Sequence, residues 1–185
     1  HFVYNVSAFL SNIGWVVTSA SCNRGMANRS TETVMSLFDM MVTNLLAHHD
    51  SDSEGGSTRD ALLGSLDSTT LKSLSVYLPS LQSLCGHTDR GSPPNSQLEF
   101  SQLQLTFLLS RLITAVLSLN RKIILVLDNF EHVDSSALTL LSEVLTSVGQ
   151  VPISRFLFVG CYRDNIDESH PLTAQLTDLR RRQDI

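Results

Sequence analysis

Two polar residues stand where apolar runs end, and both could do chemistry. Ile123-Ile124-Leu125-Val126-Leu127 is an uninterrupted apolar stretch that stops abruptly at Asp128. A second run, Phe156-Leu157-Phe158-Val159, leads through Gly160, Cys161 and Tyr162 into Arg163. In open parallel sheets, ligands bind beyond the carboxyl ends of the strands, so both residues fall where a ligand would sit. Mg²⁺ is a hard cation that uses few protein oxygens and completes its shell with water and phosphates, so one rigidly placed carboxylate suffices to hold it. A strand ending in Asp also arises where the carboxylate caps a helix or forms a turn, and spacing alone leaves both readings open. For Arg163 the two readings are an anion contact and a local salt bridge to Asp164 or Asp167.

Other reactive types are sparse. His48-His49-Asp50 invites a metal reading, but adjacent histidines on a helix point apart and no second ligand pair lies one turn away. The three cysteines, Cys22, Cys85 and Cys161, are far apart and share no C-x-x-C spacing. That pattern fits reduced thiols in a cytoplasmic protein better than a disulfide framework or a zinc site. The sequence also contains no nucleophile elbow, which leaves hydrolase and redox readings of that kind without support.

The 185 residues suffice for one domain with a real core, and 42% hydrophobic with 17% charged residues is a globular balance. A net charge of −5 argues against a general nucleic-acid binder, which needs a basic surface. Arg180-Arg181-Arg182 is the one basic cluster and reads as a solvated helix end. No apolar run approaches the roughly 18 residues that span a bilayer.

The elements that must position Asp128 and Arg163 follow from the apolar periodicity. A helical stripe over Phe2 to Ile13 is broken by Gly14, and Trp15 to Thr18 reads as a short buried strand. A helix from Thr31 carries Val34, Leu37, Met41, Leu45 and Leu46 on one side. Residues 49–96 read as a loop-rich helical insertion between the second and third core strands, helical over Leu62 to Leu84 and broken by Pro79. A long amphipathic helix follows, with Phe100, Leu103, Phe107, Leu108, Leu112, Ile113 and Val116 as its apolar face. The Ile123 strand is apolar on both faces, which predicts a central parallel strand covered on both sides. Asp134 or Ser135 then caps a helix with the stripe Leu138, Leu141, Leu145 and Val148. Strand, helix and strand make a βαβ unit, so the expected fold is α/β with a mostly parallel sheet flanked by helices.

The segments ILVLDNFEHVDSSALTLLSEVL and FLFVGCYRDNIDESHPL resemble the second half of the predicted-ATPase domains of signalling proteins. These belong to the origin-recognition-like AAA group, close to the STAND NTPases, and accompany serine/threonine kinases, histidine kinases and nucleotide cyclases. Members show a strand ending in Asp-Asp, a Trp-Ala-Asp before a helix, then Gly-x-Tyr-Arg-Asp-Asn and a downstream His-Pro-Leu. Here Asp128 matches the magnesium carboxylate of Walker B, Asp134 the helix-leading Asp, Gly160 to Asn165 the second motif and His170 to Leu172 the third. Leu78 to Gln82 resembles the family's Pro-Glu-Leu segment, and Gly14 to Ser21 its second strand. The resemblance implies a P-loop NTPase-type sheet, ATP and Mg²⁺ as ligands, and Arg163 as a sensor of the γ-phosphate.

Two departures qualify it. No G-x-x-x-x-G-K-[ST] occurs, and neither lysine, Lys72 or Lys122, follows a glycine-rich turn. Family order places that loop just before the helix that opens the chain, so a partial domain over residues 1–185, incomplete at both ends, is one explanation and a degenerate domain the other. Second, Asn129 stands where many ATPases keep a carboxylate; an amide can orient the attacking water but cannot take its proton. Glu131 is the substitute base, with an exposed loop carboxylate as its plainer reading. His132 occupies the family's Trp position as a packing replacement. The expectation is therefore an ATP-binding regulatory ATPase module of a larger cytoplasmic signalling protein. Its partners would be ATP with Mg²⁺, the kinase- or cyclase-type domains of the same polypeptide, and a second copy in a homo-oligomer. The alternatives are a non-hydrolysing interaction scaffold and the ATPase part of a DNA-associated regulator.

Overall fold

The computed structural model describes residues 9–11, 13–23, 30–47, 58–84, 101–148, 155–163, 166–167 and 169–182. Three strands, β1 (Trp15–Ser21), β2 (Lys122–Asp128) and β3 (Phe156–Gly160), form one sheet in the order β1-β2-β3. Both pairings are parallel: Val16 lies opposite Ile123 in the first, and Ile123 opposite Phe156 in the second. The apolar run is thus the middle strand. Ile123, Leu125 and Leu127 on one face and Ile124 and Val126 on the other are all buried. A strand enclosed on both faces has no polar alternation to show, and this one shows none.

The flanking strands are less enclosed. In β1 only Val16 and Thr18 are buried, an alternation that marks one covered face, and the strand runs on to Ser21. Buried Thr18 is satisfied by Asn44, whose Nδ2 donates to its Oγ1 at 3.3 Å and to the Val17 carbonyl at 3.3 Å. Strand β3 has no buried residue, and Leu157 is 49% exposed. It is the edge of the described sheet, as a central β2 requires.

Helix α1 (Ser30–Ala47) packs on β1 and β2 through Val34, Leu37, Phe38, Met41 and Leu45. Three short helices follow: α2 (Thr58–Ser65), α3 (Ser68–Ser75) and α4 (Pro79–Gln82). Asp67 caps α3 by accepting the Thr70 amide at 2.8 Å. Pro79 opens α4 at its first position, where its missing N–H costs nothing, so the proline starts one helix as well as ending another. Leu62, Leu71, Leu74, Leu78 and Leu81 join the same core as the sheet.

Helix α5 (Gln102–Ser118) starts with a reciprocal capping box between Ser101 and Gln104. Leu108, Leu112, Ile113 and Val116 are buried as the stripe requires. Leu103 and Phe107 are not; they are 73% and 60% exposed. At 100° per residue both lie on the side of α5 opposite Leu112, with exposed Arg111 and Thr114, so they do not belong to its buried stripe. Phe100 and the opening stripe up to residue 8 lie outside the described residues, as do His48 to Asp50. Helix α6 (Ser135–Val148) packs against α5 and α7 (Pro171–Arg182). Among the described residues no helix is long and apolar enough to cross a membrane.

Candidate functional site at the carboxyl edge of the sheet

All three strands run the same way, so their carboxyl ends meet at one edge, and the backbone there is tied beyond the strands. The Cys22 amide donates to the Asp128 carbonyl at 3.0 Å, and the Cys161 amide to the Leu127 carbonyl at 2.9 Å. The Phe130 amide donates to the Cys161 carbonyl at 2.8 Å, closing the turn after β2 onto the loop after β3. Asp128 is thereby fixed from both sides while its own side chain stays exposed.

Asn129 makes that turn possible. Its φ of 52° is left-handed, a region that Asn tolerates better than most residues. Its amide donates to Asp128 Oδ1 at 2.9 Å, and its Nδ2 donates to Ser21 Oγ at 2.9 Å, bridging β2 to β1. Oδ1 of Asn129 remains an acceptor. A single turn of 3-10 helix, Phe130–His132, then carries the chain to α6. Phe130 meets Phe158 edge to face at 5.7 Å between ring centroids. Gly160 is required under that ring: a Cβ there would lie 2.8 Å from Phe130 Cδ1. Of the two cap candidates in the sequence, Asp134 and Ser135, it is Asp134 that caps α6, accepting the Ala137 amide at 2.8 Å.

The buried Ser30 hydroxyl, at the first residue of α1, donates to the His132 carbonyl at 3.5 Å and accepts the Asp134 amide at 3.2 Å. Nothing in the spacing of Ser30 and Asp134 signals this link. His132 is mostly buried, in keeping with a packing role, with Nε2 3.9 Å from Glu131 Oε1.

Glu131 is a correction. The plainer sequence reading placed it as an exposed loop carboxylate, but its side chain is only 9% exposed. Its oxygen lies 3.5 Å from Arg163 Nε, while the Arg163 side chain is 68% exposed. The arginine's ion pair is thus with Glu131 across the edge and not with Asp167, its near neighbour in sequence. Asp164 lies outside the described residues.

The thiols at this edge are poor nucleophiles. Burial, with the carboxylates of Asp134 and Glu131 adding to it, pushes Cys22 up to about 11, and burial with Asp128 raises Cys161. The neutral thiol of Cys22 is favoured in the folded chain, so its contribution to stability is complete below its ordinary value of 9.0 and fades as pH rises toward about 11. Iodoacetamide at neutral pH should therefore leave Cys22 unmodified in the folded chain and label it after denaturation. Rapid labelling of Cys22 in the folded chain would contradict its burial beside two carboxylates.

A metal at this edge would have to be held by few protein groups, because no cluster of three or more His, Cys, Asp or Glu side chains occurs among the described residues. Exposed Asp128, with one oxygen held by the Asn129 amide and the other open, fits the single-carboxylate mode of Mg²⁺. The fold and edge define a class: an open, all-parallel, three-stranded α/β sheet with polar groups gathered beyond its carboxyl ends. In comparisons with known proteins, the chain matches no family model, no curated protein and no solved structure.

Proposed function

We propose that this chain is part of an AAA-type, P-loop NTPase-like module that binds ATP and regulates a larger cytoplasmic signalling protein. The observation that carries the reading is Asp128, exposed at the carboxyl end of the one strand buried on both faces, at the same edge as Arg163. Asp128 would hold Mg²⁺, which supplies charge neutralisation at the nucleotide phosphates. Arg163 would meet the γ-phosphate through charge-assisted hydrogen bonds. Oδ1 of Asn129, left free by the Nδ2 bond to Ser21, can accept a hydrogen bond from water and orient it. An amide takes no proton, so turnover through Asn129 alone would be slow. Glu131, the other candidate base, is buried against Arg163 and has less access to water. Nucleotide would then act by favouring one arrangement of the edge over another, a shift read by neighbouring domains.

A non-hydrolysing scaffold is the second reading, and Asn129 in place of a carboxylate favours it. Both readings share one expectation: residues 1–185 should bind ATP only weakly, with a dissociation constant in the millimolar range, because the sequence has no glycine-rich lysine loop to cradle the phosphates. Calorimetric titration of ATP with Mg²⁺ into the purified chain tests this. A micromolar dissociation constant would place the phosphate site elsewhere and sink the assignment of Asp128.

A further inference from the structure

Glu131 is the side chain at this edge whose surroundings least match its chemistry. It is nine-tenths buried, yet neither carboxylate oxygen has a hydrogen-bond partner among the described residues. A carboxylate buried without hydrogen bonds is costly unless a cation compensates it. The compensation here is Arg163 Nε at 3.5 Å, with His132 Nε2 farther off at 3.9 Å. Arg163 is the opposite case. Mostly exposed, it makes this one ion pair among the described residues, through Nε alone. A guanidinium carries five N–H donors in a planar fork, so its terminal nitrogens keep their hydrogen-bonding capacity.

We propose that Glu131 is a positioning residue that holds Arg163 by Nε so that its terminal nitrogens can take a phosphate oxyanion. This rests on the reading that Arg163 meets phosphate, and it gives Glu131 a role other than general base. A long exposed side chain loses rotamer freedom when it binds, and a tether on its inner edge removes part of that loss beforehand. The tether is inexpensive to adjust, because an ion pair at 3.5 Å is longer than the roughly 2.9 Å of an N–H···O bond and can tighten when an anion arrives. The charge of Glu131 works the other way by opposing a second anion. Substitution separates the two effects: glutamine keeps an acceptor and loses the charge, whereas alanine loses both.

The test titrates inorganic pyrophosphate, and in parallel ATP, into the ¹⁵N-labelled chain without Mg²⁺, following the backbone amides of Cys161 and Tyr162 in every variant and the Arg163 Nε–H resonance where the arginine is kept. Arg163→Ala should lose binding. Glu131→Ala should weaken it by about tenfold, the scale of one charge-assisted contact, while Glu131→Gln stays within about threefold of wild type. Adding Arg163→Ala to Glu131→Ala should bring binding to the level of Arg163→Ala alone. Pyrophosphate and ATP should shift the resonance alike if the phosphate chain is the ligand. Binding by Glu131→Ala as tight as wild type would make Glu131 a competitor and overturn the proposal. A wild-type resonance unmoved by pyrophosphate at its highest soluble concentration, or affinity indifferent to Arg163→Ala, would overturn it as well. If Glu131→Ala does not fold, Glu131→Met decides. Methionine fills the buried space with neither a charge nor a strong acceptor for Nε, so about a tenfold loss is expected, and wild-type affinity refutes the tether. A separate titration with Mg²⁺, comparing wild type with Asp128→Ala, reports on the magnesium site alone, so failure of one assignment does not mask failure of the other.

Discussion

On the proposed function, Asp128→Ala should abolish Mg²⁺-dependent ATP hydrolysis by any polypeptide that joins these residues to a phosphate-binding loop, with folding unchanged. The side chain is exposed, so its loss leaves no cavity, and its one bond among the described residues is to the neighbouring Asn129 amide, which water can replace. No cluster of three or more metal-binding side chains occurs among the described residues, so no multidentate site competes for the ion. The companion substitution is Asn129→Asp, which should raise turnover, because a carboxylate beside the magnesium ligand accepts the proton that an amide cannot. General-base catalysis contributes about 10²–10⁴-fold, and the gain should fall below that where Asn129 already orients the water. Aspartate is the better replacement than glutamate here. It tolerates the left-handed backbone of residue 129, and Ser21 can reverse its role and donate to it. Phosphate release from wild type and both variants is the measurement. Full Mg²⁺-dependent activity in Asp128→Ala would remove the Walker B assignment and the proposed function with it.

Leu125→Asp should prevent folding altogether. Leu125 is 1% exposed at the midpoint of β2, between Thr18 on one side and Phe158 on the other. An unpaired charge there costs several kcal/mol, against a total stability of about 5–15 kcal/mol for a domain. The same substitution at Leu157, half exposed on the edge strand, should cost about 1 kcal/mol or less. Circular dichroism during thermal unfolding reads both. A cooperative transition in Leu125→Asp, or loss of folding in Leu157→Asp, would reverse the order of enclosure assigned to the two strands.

The sheet was readable because its signals are local and one-sided in meaning. Five apolar residues with no alternation can be accommodated only where both faces are covered, and β2 is so placed. The α1 stripe and the Asp134 cap were readable for the same reason, since each is a pattern within a few residues. The α5 stripe was readable only in part. Taken strictly, a period of 3.6 separates Leu103 and Phe107 from Leu112 and Val116 by nearly half a turn, so they stand on the solvent side of the helix and not on its buried stripe. The pairing of Glu131 with Arg163 was out of reach for a different reason. Asp164 and Asp167 are the nearest acids in sequence, but Glu131 is brought to the arginine by two strands running side by side and by the Phe130–Cys161 bond between their loops. Asn44 on Thr18 and Ser30 beneath Asp134 belong to the same group: contacts between segments that the sheet assembles.

Strand β3 also sets two clocks within a few residues. Alternate amides of a strand point to opposite sides, and the Cys161 amide points to Leu127 of β2. The amides of Leu157 and Val159 therefore face β2, and those of Phe158 and Gly160 face away from it. Placed in deuterated water, the first pair exchange only when the β2–β3 ladder opens, an event tied to the cohesion of the whole core. The second pair exchange at whatever rate the outer side of the edge permits. Any segment or partner that pairs along that side would slow Phe158 and Gly160 and leave Leu157 and Val159 as they were, so the difference between neighbouring amides would register its arrival.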